Sequence, residues 1–111
     1  MEDCVFCKIV AGEIPCHKIC ESEDFVVIED VSPKVEGHLL VVSKKHCDNF
    51  LSLSSELYGE MLVLVKDVVK KLELKDFNLV LNNGKLAGQV IFHFHLHILP
   101  RRINDGFKFG V

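Results

Sequence analysis

Apolar positions along this chain follow two periods, and their order predicts the elements. Between Ser54 and Leu72, the residues Leu57, Met61, Leu64, Val65, Val68 and Leu72 recur at helical spacing. They make one apolar face of a helix over about residues 55–72, a core stripe rather than a cofactor box. Ser54 is the candidate N-cap, and Lys70 and Lys71 suit the negative pole of the helix dipole. Elsewhere the apolar runs are short and rich in β-branched residues. Residues 16–21 and 24–29 read as two strands joined by the polar Glu21-Ser22-Glu23-Asp24 turn. Residues 38–43 read as a third strand, whose nearly continuous Leu39-Leu40-Val41-Val42 run suggests cover on both faces. Phe77 to Asn82 gives a fourth, and residues 91–99 a fifth, stopped by Pro100. Residues 4–11 suit a short helix that Gly12 and Pro15 end. The predicted class is α+β: a mostly antiparallel five-stranded sheet with one long helix and a short N-terminal one.

The fifth strand has an unusual alternation. His93, His95 and His97 occupy alternate places, with Phe94, Leu96, Ile98 and Leu99 between and after them. Successive side chains of a strand point to opposite faces. Three imidazoles therefore share one face and an apolar stripe fills the other. Buried without partners, each ring would cost about 1–3 kcal/mol, so the cluster calls for a functional reading.

Composition narrows the choice. The chain has 111 residues, 49% of them apolar, which suffices for the core of one domain over residues 1–111. Its net charge of −3 argues against a nucleic-acid polymer as partner. No stretch reaches the ~20 apolar residues of a membrane span, and Met1-Glu2-Asp3 begins no visible secretory signal. The five cysteines, Cys4, Cys7, Cys16, Cys20 and Cys47, are an odd number, which suits a reducing cytoplasm better than a disulfide framework. On spacing alone, Cys4-x-x-Cys7 reads as two small buried thiols before it reads as half a zinc site. His17 and His38 read as ordinary surface or satisfied core histidines.

Two chemistries remain for the histidine strand. The rings could hold a catalytic metal open to water. Alternatively, one imidazole could be a nucleophile toward phosphorus, splitting one hard displacement into two easier ones. The loop before the strand favours phosphate. Gly88 permits close backbone approach, amides beyond it can face an anion, and Asn82 can reach the same place.

These residues resemble the histidine triad (HIT) family. His93-Phe94-His95-Leu96-His97-Ile98-Leu99 matches its His-φ-His-φ-His-φ-φ motif, where φ is apolar. Gly88-Gln89, Asn82, Asp30 in Glu-Asp-Val-Ser-Pro, and Lys44-Lys45-His46 also fall where that family has similar residues, so the resemblance spans essentially the whole chain. It implies a nucleotide-binding hydrolase that cleaves nucleoside 5′-phosphoramidates or dinucleoside polyphosphates at the α-phosphate. His95 would be the nucleophile, forming a nucleotidyl-histidine, and His97 would serve the phosphate and leaving group. Asn82 would orient ribose and phosphate, the Gln89-Val90 backbone would meet the phosphate, and Asp30 would take the ribose hydroxyls. Val5, Phe6, Ile9, Ile28 and Val31 would wall the base, and AMP or GMP would be released. A binding or scaffold protein with vestigial activity and a metal-dependent phosphohydrolase are the alternatives.

The resemblance also implies a structural zinc on Cys4, Cys7, His46 and His93. It further implies a homodimer, with the long helix and a fifth strand at the two-fold axis. The chain departs from Hint-like members at Val90, where a serine is common, and so lacks a hydroxyl there. The tail Phe107-Lys108-Phe109-Gly110-Val111 contains no tryptophan and is a candidate to approach a partner's site.

Overall fold

A helix and a sheet share one large core, and a second, smaller core lies on the sheet's other face. The computed structural model describes residues 3–108. The order is α1 (Val5–Val10), β1 (Lys18–Glu21), β2 (Phe25–Glu29), β3 (Leu39–Ser43), α2 (Leu57–Lys71), β4 (Phe77–Val80) and β5 (His95–Pro100). Single 3₁₀ turns at Phe50–Ser52 and Lys85–Ala87 complete it. All neighbouring strands are antiparallel, in the order β1-β2-β3-β5-β4. The predicted α+β class and the helix and strand order hold.

The two faces of the sheet separate by residue parity. Phe25, Val27, Leu39, Val41, Leu96 and Ile98 pack against Met61, Leu64, Val65, Val68 and Val69 of α2. Val26, Ile28, Leu40 and Val42 pack with Phe6 of α1. Cover on both sides explains the unbroken apolar runs in β2 and β3. The register aligns Ile28 with Leu40 and Leu40 with His97, so the histidine face lies on the α1 side.

Several boundaries move, for identifiable reasons. The predicted N-cap Ser54 instead offers its carbonyl to Leu57 N at 2.9 Å, in a turn that makes Glu56 the cap position without a side-chain bond. Leu72 falls outside the apolar stripe and is exposed, while Val69 is buried in its place. β5 starts at His95 rather than residue 91. Before it, Phe94 N donates to Cys47 O and Ser43 N to Phe94 O, bonds that follow the turn after β3 rather than a regular ladder. Pro100 belongs to β5 instead of stopping it. Its missing N–H is tolerated because the ladder with β3 has already ended at Ile98, leaving only Phe77 of β4 opposite.

After β5, Arg101 fastens the chain. It bonds Asp105 through Nε at 2.7 Å, Asn78 through Nη1 at 2.8 Å, and the Phe107 carbonyl. Phe109, Gly110 and Val111, the part of the tail expected near a partner's site, lie outside the described residues. No helix among the described residues is long and apolar enough to cross a membrane.

Phe25 is fully buried and meets Phe94 edge-on with ring centroids 6.3 Å apart. Phe25→Ala should lower unfolding free energy by about 3–5 kcal/mol, since the cavity it leaves is closed by both the sheet and α2. Urea unfolding followed by circular dichroism measures this.

Candidate active site

The α1 side of the sheet carries a cavity of 530 Å³. Val5, Phe6 and Ile9 of α1 line it, together with Ile28, Asp30 and Val31 at the end of β2. The loop after β4 adds Asn82, Gly88 and Val90, and β5 adds His95 and His97. Four separate segments thus bring these residues together around one cavity.

Gln89 stands apart from this group. It is buried, its Oε1 accepts from Gly84 N at 2.8 Å, and its Nε2 donates to the carbonyls of Asp48 and Ile91. Its own amide donates to Gly84 O at 3.0 Å. Gln89 therefore braces the loop, and only the Val90 amide of the predicted pair has no partner among the described residues. Asn82 is held in the same way, with Nδ2 on Ala87 O at 2.8 Å, which leaves its Oδ1 uncommitted. Gly88 has φ +90, a left-handed conformation that favours glycine and lets the chain turn in toward Asn82.

The three triad rings have different partners. His95 Nδ1 lies 2.7 Å from the His93 carbonyl, which can only accept. The His95 proton is therefore on Nδ1, and Nε2 keeps its lone pair. Phe6 packs on this ring at 4.9 Å between centroids.

His97 Nδ1 lies 2.8 Å from His38 Nε2. His38 Nδ1 in turn accepts from Lys34 N at 3.0 Å, so neutral His38 carries its proton on Nε2 and donates it to His97. His97 must then carry its own proton on Nε2, as a donor. Asp30 Oδ2 lies 3.4 Å from His38 Nε2, and Asp30 Oδ1 accepts from Ser32 N. Burial pushes His97 down to about 4, helped by the nearby His95 and His38 rings. Burial also lowers His38, against the pull of Asp30.

His38 is a satisfied core histidine with a further consequence: it is buried, bonded on both nitrogens, and sets the tautomer of His97. No local signal marks it, because its partners sit four residues before it and 59 after it. His17 is paired with Glu29 at the surface, as an ordinary histidine. Ile14, Pro15, Cys16, Glu29, Lys34, Leu40 and Ile91 also line the cavity, and residue patterns alone did not single them out.

The third ring turns elsewhere. His93 is fully buried, and its Nε2 lies 2.7 Å from the Ser43 carbonyl, so its Nδ1 lone pair faces inward. Cys4 Sγ is 3.2 Å and Cys7 Sγ 3.5 Å from that nitrogen, and His46 Nδ1 is 3.3 Å from Cys7 Sγ. The four donor atoms all lie within 4.8 Å of one another. Bonds of about 2.0–2.3 Å to a tetrahedral zinc require ligand separations of about 3.3–3.8 Å, so the donor set and its spacing fit that ion. His46 Nε2 is held by Asp48 Oδ1 at 3.1 Å, the outer contact that orients a metal-binding imidazole. His93, His95 and His97 do not form a common ligand cluster among the described residues; the second group of close potential ligands is Asp30, His38 and His97.

The HIT domain family model matches residues 11–104. The chain belongs to the histidine triad family. It is 40% identical to the adenosine 5′-monophosphoramidase hnt1 of Schizosaccharomyces pombe over 108 residues, covering 97% of this chain and 80% of the relative. It is also 40% identical to adenylylsulfatase HINT3 of Arabidopsis thaliana over 107 residues, covering 93% of this chain and 54% of the relative. Among solved structures, a zinc-bound histidine triad family protein from Mycobacterium smegmatis superposes with a TM-score of 0.86 at 35% identity, covering 97% of this chain and 81% of that one.

The lowered His97 has a consequence for folding. Below its ordinary value of 6.5, the unfolded chain binds a proton that the folded chain refuses until about 4. Its contribution is complete above pH 6.5 and is lost as pH falls through that window. Thermal melts should therefore show wild type losing stability more steeply between pH 6.5 and 4 than His97→Asn; equal slopes would place the loss elsewhere.

Proposed function

We propose that this histidine triad protein is a nucleotidyl hydrolase working through a covalent nucleotidyl-histidine on His95. The observation that carries the reading is the 2.7 Å contact from His95 Nδ1 to the His93 carbonyl, in a ring that lines the cavity. It leaves Nε2 as a ready nucleophile. Nε2 attacks the α-phosphorus, the bond from phosphorus to the leaving group breaks, and its electron pair departs with that group. The positive charge left on the ring is stabilised by the same His93 carbonyl. Water then attacks phosphorus, the N–P bond breaks with its pair returning to Nε2, and the water proton passes to solvent as the nucleoside monophosphate leaves.

The other residues position the substrate. The His97 Nε2–H donates to a phosphate oxygen, which concentrates charge in the transition state. Val90 N and the free Oδ1 of Asn82 meet phosphate and ribose, and Asp30 accepts from the ribose hydroxyls. Val5, Phe6, Ile9, Ile28 and Val31 form an apolar slot for a purine, with AMP or GMP as product. Nucleoside phosphoramidates and dinucleoside polyphosphates are the substrate classes. The names of the two relatives, a monophosphoramidase and an adenylylsulfatase, support an adenylyl substrate.

The cluster of Cys4, Cys7, His46 and His93 would hold a structural zinc, closed to water by four protein ligands. The zinc-bound neighbour supports this. A homodimer is supported by apolar side chains left in solvent on α2, Leu62 at 53% and Val63 at 60% exposure, and by exposed Leu79 on β4. β5 is internal, so the free sheet edge on this side belongs to β4 rather than to the fifth strand.

Two measurements test these readings. Rapid acid-free quench with a labelled adenosine phosphoramidate should trap an adenylyl adduct on His95. His95→Asn should lose turnover on the order of 10⁴-fold or more, and His97→Asn about 10²–10³-fold. Normal turnover by His95→Asn ends the covalent reading. Separately, elemental analysis should find about one zinc per chain, lost in the Cys4→Ser, Cys7→Ser double variant together with a lower thermal midpoint. A metal-free wild type of equal thermal stability rejects the zinc.

A further inference from the structure

One cation in the cavity has an uncommitted head group. Lys34, in the turn between β2 and β3, is the one lysine or arginine lining the cavity among the described residues. Its ammonium makes no ion pair or hydrogen bond there, whereas Lys18 and Lys44 are both held by Glu21 and Arg101 is held by Asp105. The acids that share the cavity are engaged elsewhere: Glu29 with His17, and Asp30 with His38 and the Ser32 amide.

The root of Lys34 is nevertheless fixed. Its backbone N–H donates to His38 Nδ1 at 3.0 Å, and His38 Nε2 reaches His97 Nδ1 at 2.8 Å. The side chain therefore springs from a point two hydrogen bonds from the His97 ring, whose Nε2–H is proposed to meet the reacting phosphate. Its charge is close enough to disfavour protonation of both His38 and His97.

The rest of this end of the cavity offers little to protonate a leaving group. Val90 is apolar and 86% exposed, so its side chain brings no hydroxyl. His97 is neutral, and a neutral imidazole donates a hydrogen bond but gives up its proton reluctantly. An amine leaving group needs that proton in order to depart neutral. An oxyanion needs none: as the N–P bond to His95 forms and the P–O bond breaks, the electron pair stays on the departing oxygen as added negative charge. A free ammonium stabilises that charge without a proton transfer.

We infer that Lys34 is a specificity-determining residue favouring nucleotide substrates whose leaving group departs as an oxyanion, sulfate or phosphate, over those that release an amine. This rests on the nucleotidyl-transfer reading above and adds the substrate class.

The test compares three substrates with the same adenylyl half: adenosine 5′-phosphosulfate, diadenosine tetraphosphate and adenosine 5′-phosphoramidate. In Lys34→Gln, the ratio of kcat/KM for each oxyanion substrate to that for the amine should fall about tenfold, and Lys34→Arg should keep it. Added salt should lower the wild-type ratio and move that of Lys34→Gln less. An unchanged ratio overturns the inference, whether both rates drop together, which would put Lys34 on the α-phosphate, or neither does. A fall for the tetraphosphate alone also overturns it, because Lys34 would then be reading the outer phosphates. A wild-type protein that binds AMP but turns over none of the three overturns the nucleotidyl-transfer reading itself.

Discussion

Everything at the candidate site depends on how His93 is held. Its ring is fully buried, with Nε2 bonded to the Ser43 carbonyl and Nδ1 turned toward Cys4 and Cys7. With the ring pinned on both nitrogens, the peptide that follows has little freedom, and its carbonyl stands 2.7 Å from His95 Nδ1. A short hydrogen bond to a fixed acceptor decides the tautomer of the neighbouring ring. The lone pair of His95 Nε2 is thus set by contacts that never touch the cavity.

The same economy appears on the other side of the site. His38 sits at the start of a fully buried strand, where an unpaired imidazole would be costly. Both its nitrogens are engaged, one by the Lys34 amide and one by His97. Because an amide can only donate, the direction of the whole chain of hydrogen bonds follows from the Lys34 N–H. Two backbone groups, one carbonyl and one amide, therefore assign the proton positions of His95, His38 and His97.

Much of this was legible in the residues. The period of Met61, Leu64, Val65 and Val68 marked α2, and the unbroken run in β3 marked a strand covered twice. The alternation of His95, Leu96, His97 and Ile98 survives as alternating faces, although the ladder begins only at His95. Nearly all the residues assigned to the nucleotide line one cavity, and the four assigned to zinc converge. What escaped was pairing between distant segments. His38 looks ordinary in its own stretch, and its importance arises from the register that sets Leu40 beside His97. Gln89 was assigned a backbone contact, but the glutamine side chain carries the loop, a role that no local pattern displays. The end of β5 differs from the expected stop because Pro100 ends a ladder only where a partner strand needs its N–H.

Helix α1 has six residues, too few to hold its shape in isolation. Cys4 accepts from Cys7 N at its start, both thiols point into the four-donor cluster, and Phe6 packs against His93 and His95. Val5, Phe6 and Ile9 of the same helix wall the cavity. An ion in the cluster and a base in the cavity would therefore order one shared element, so their free energies of binding are linked. By reciprocity, whatever factor the ion contributes to base affinity, the base returns to ion affinity. α1 is in this sense a thermodynamic coupler, joining the four-donor cluster to the cavity.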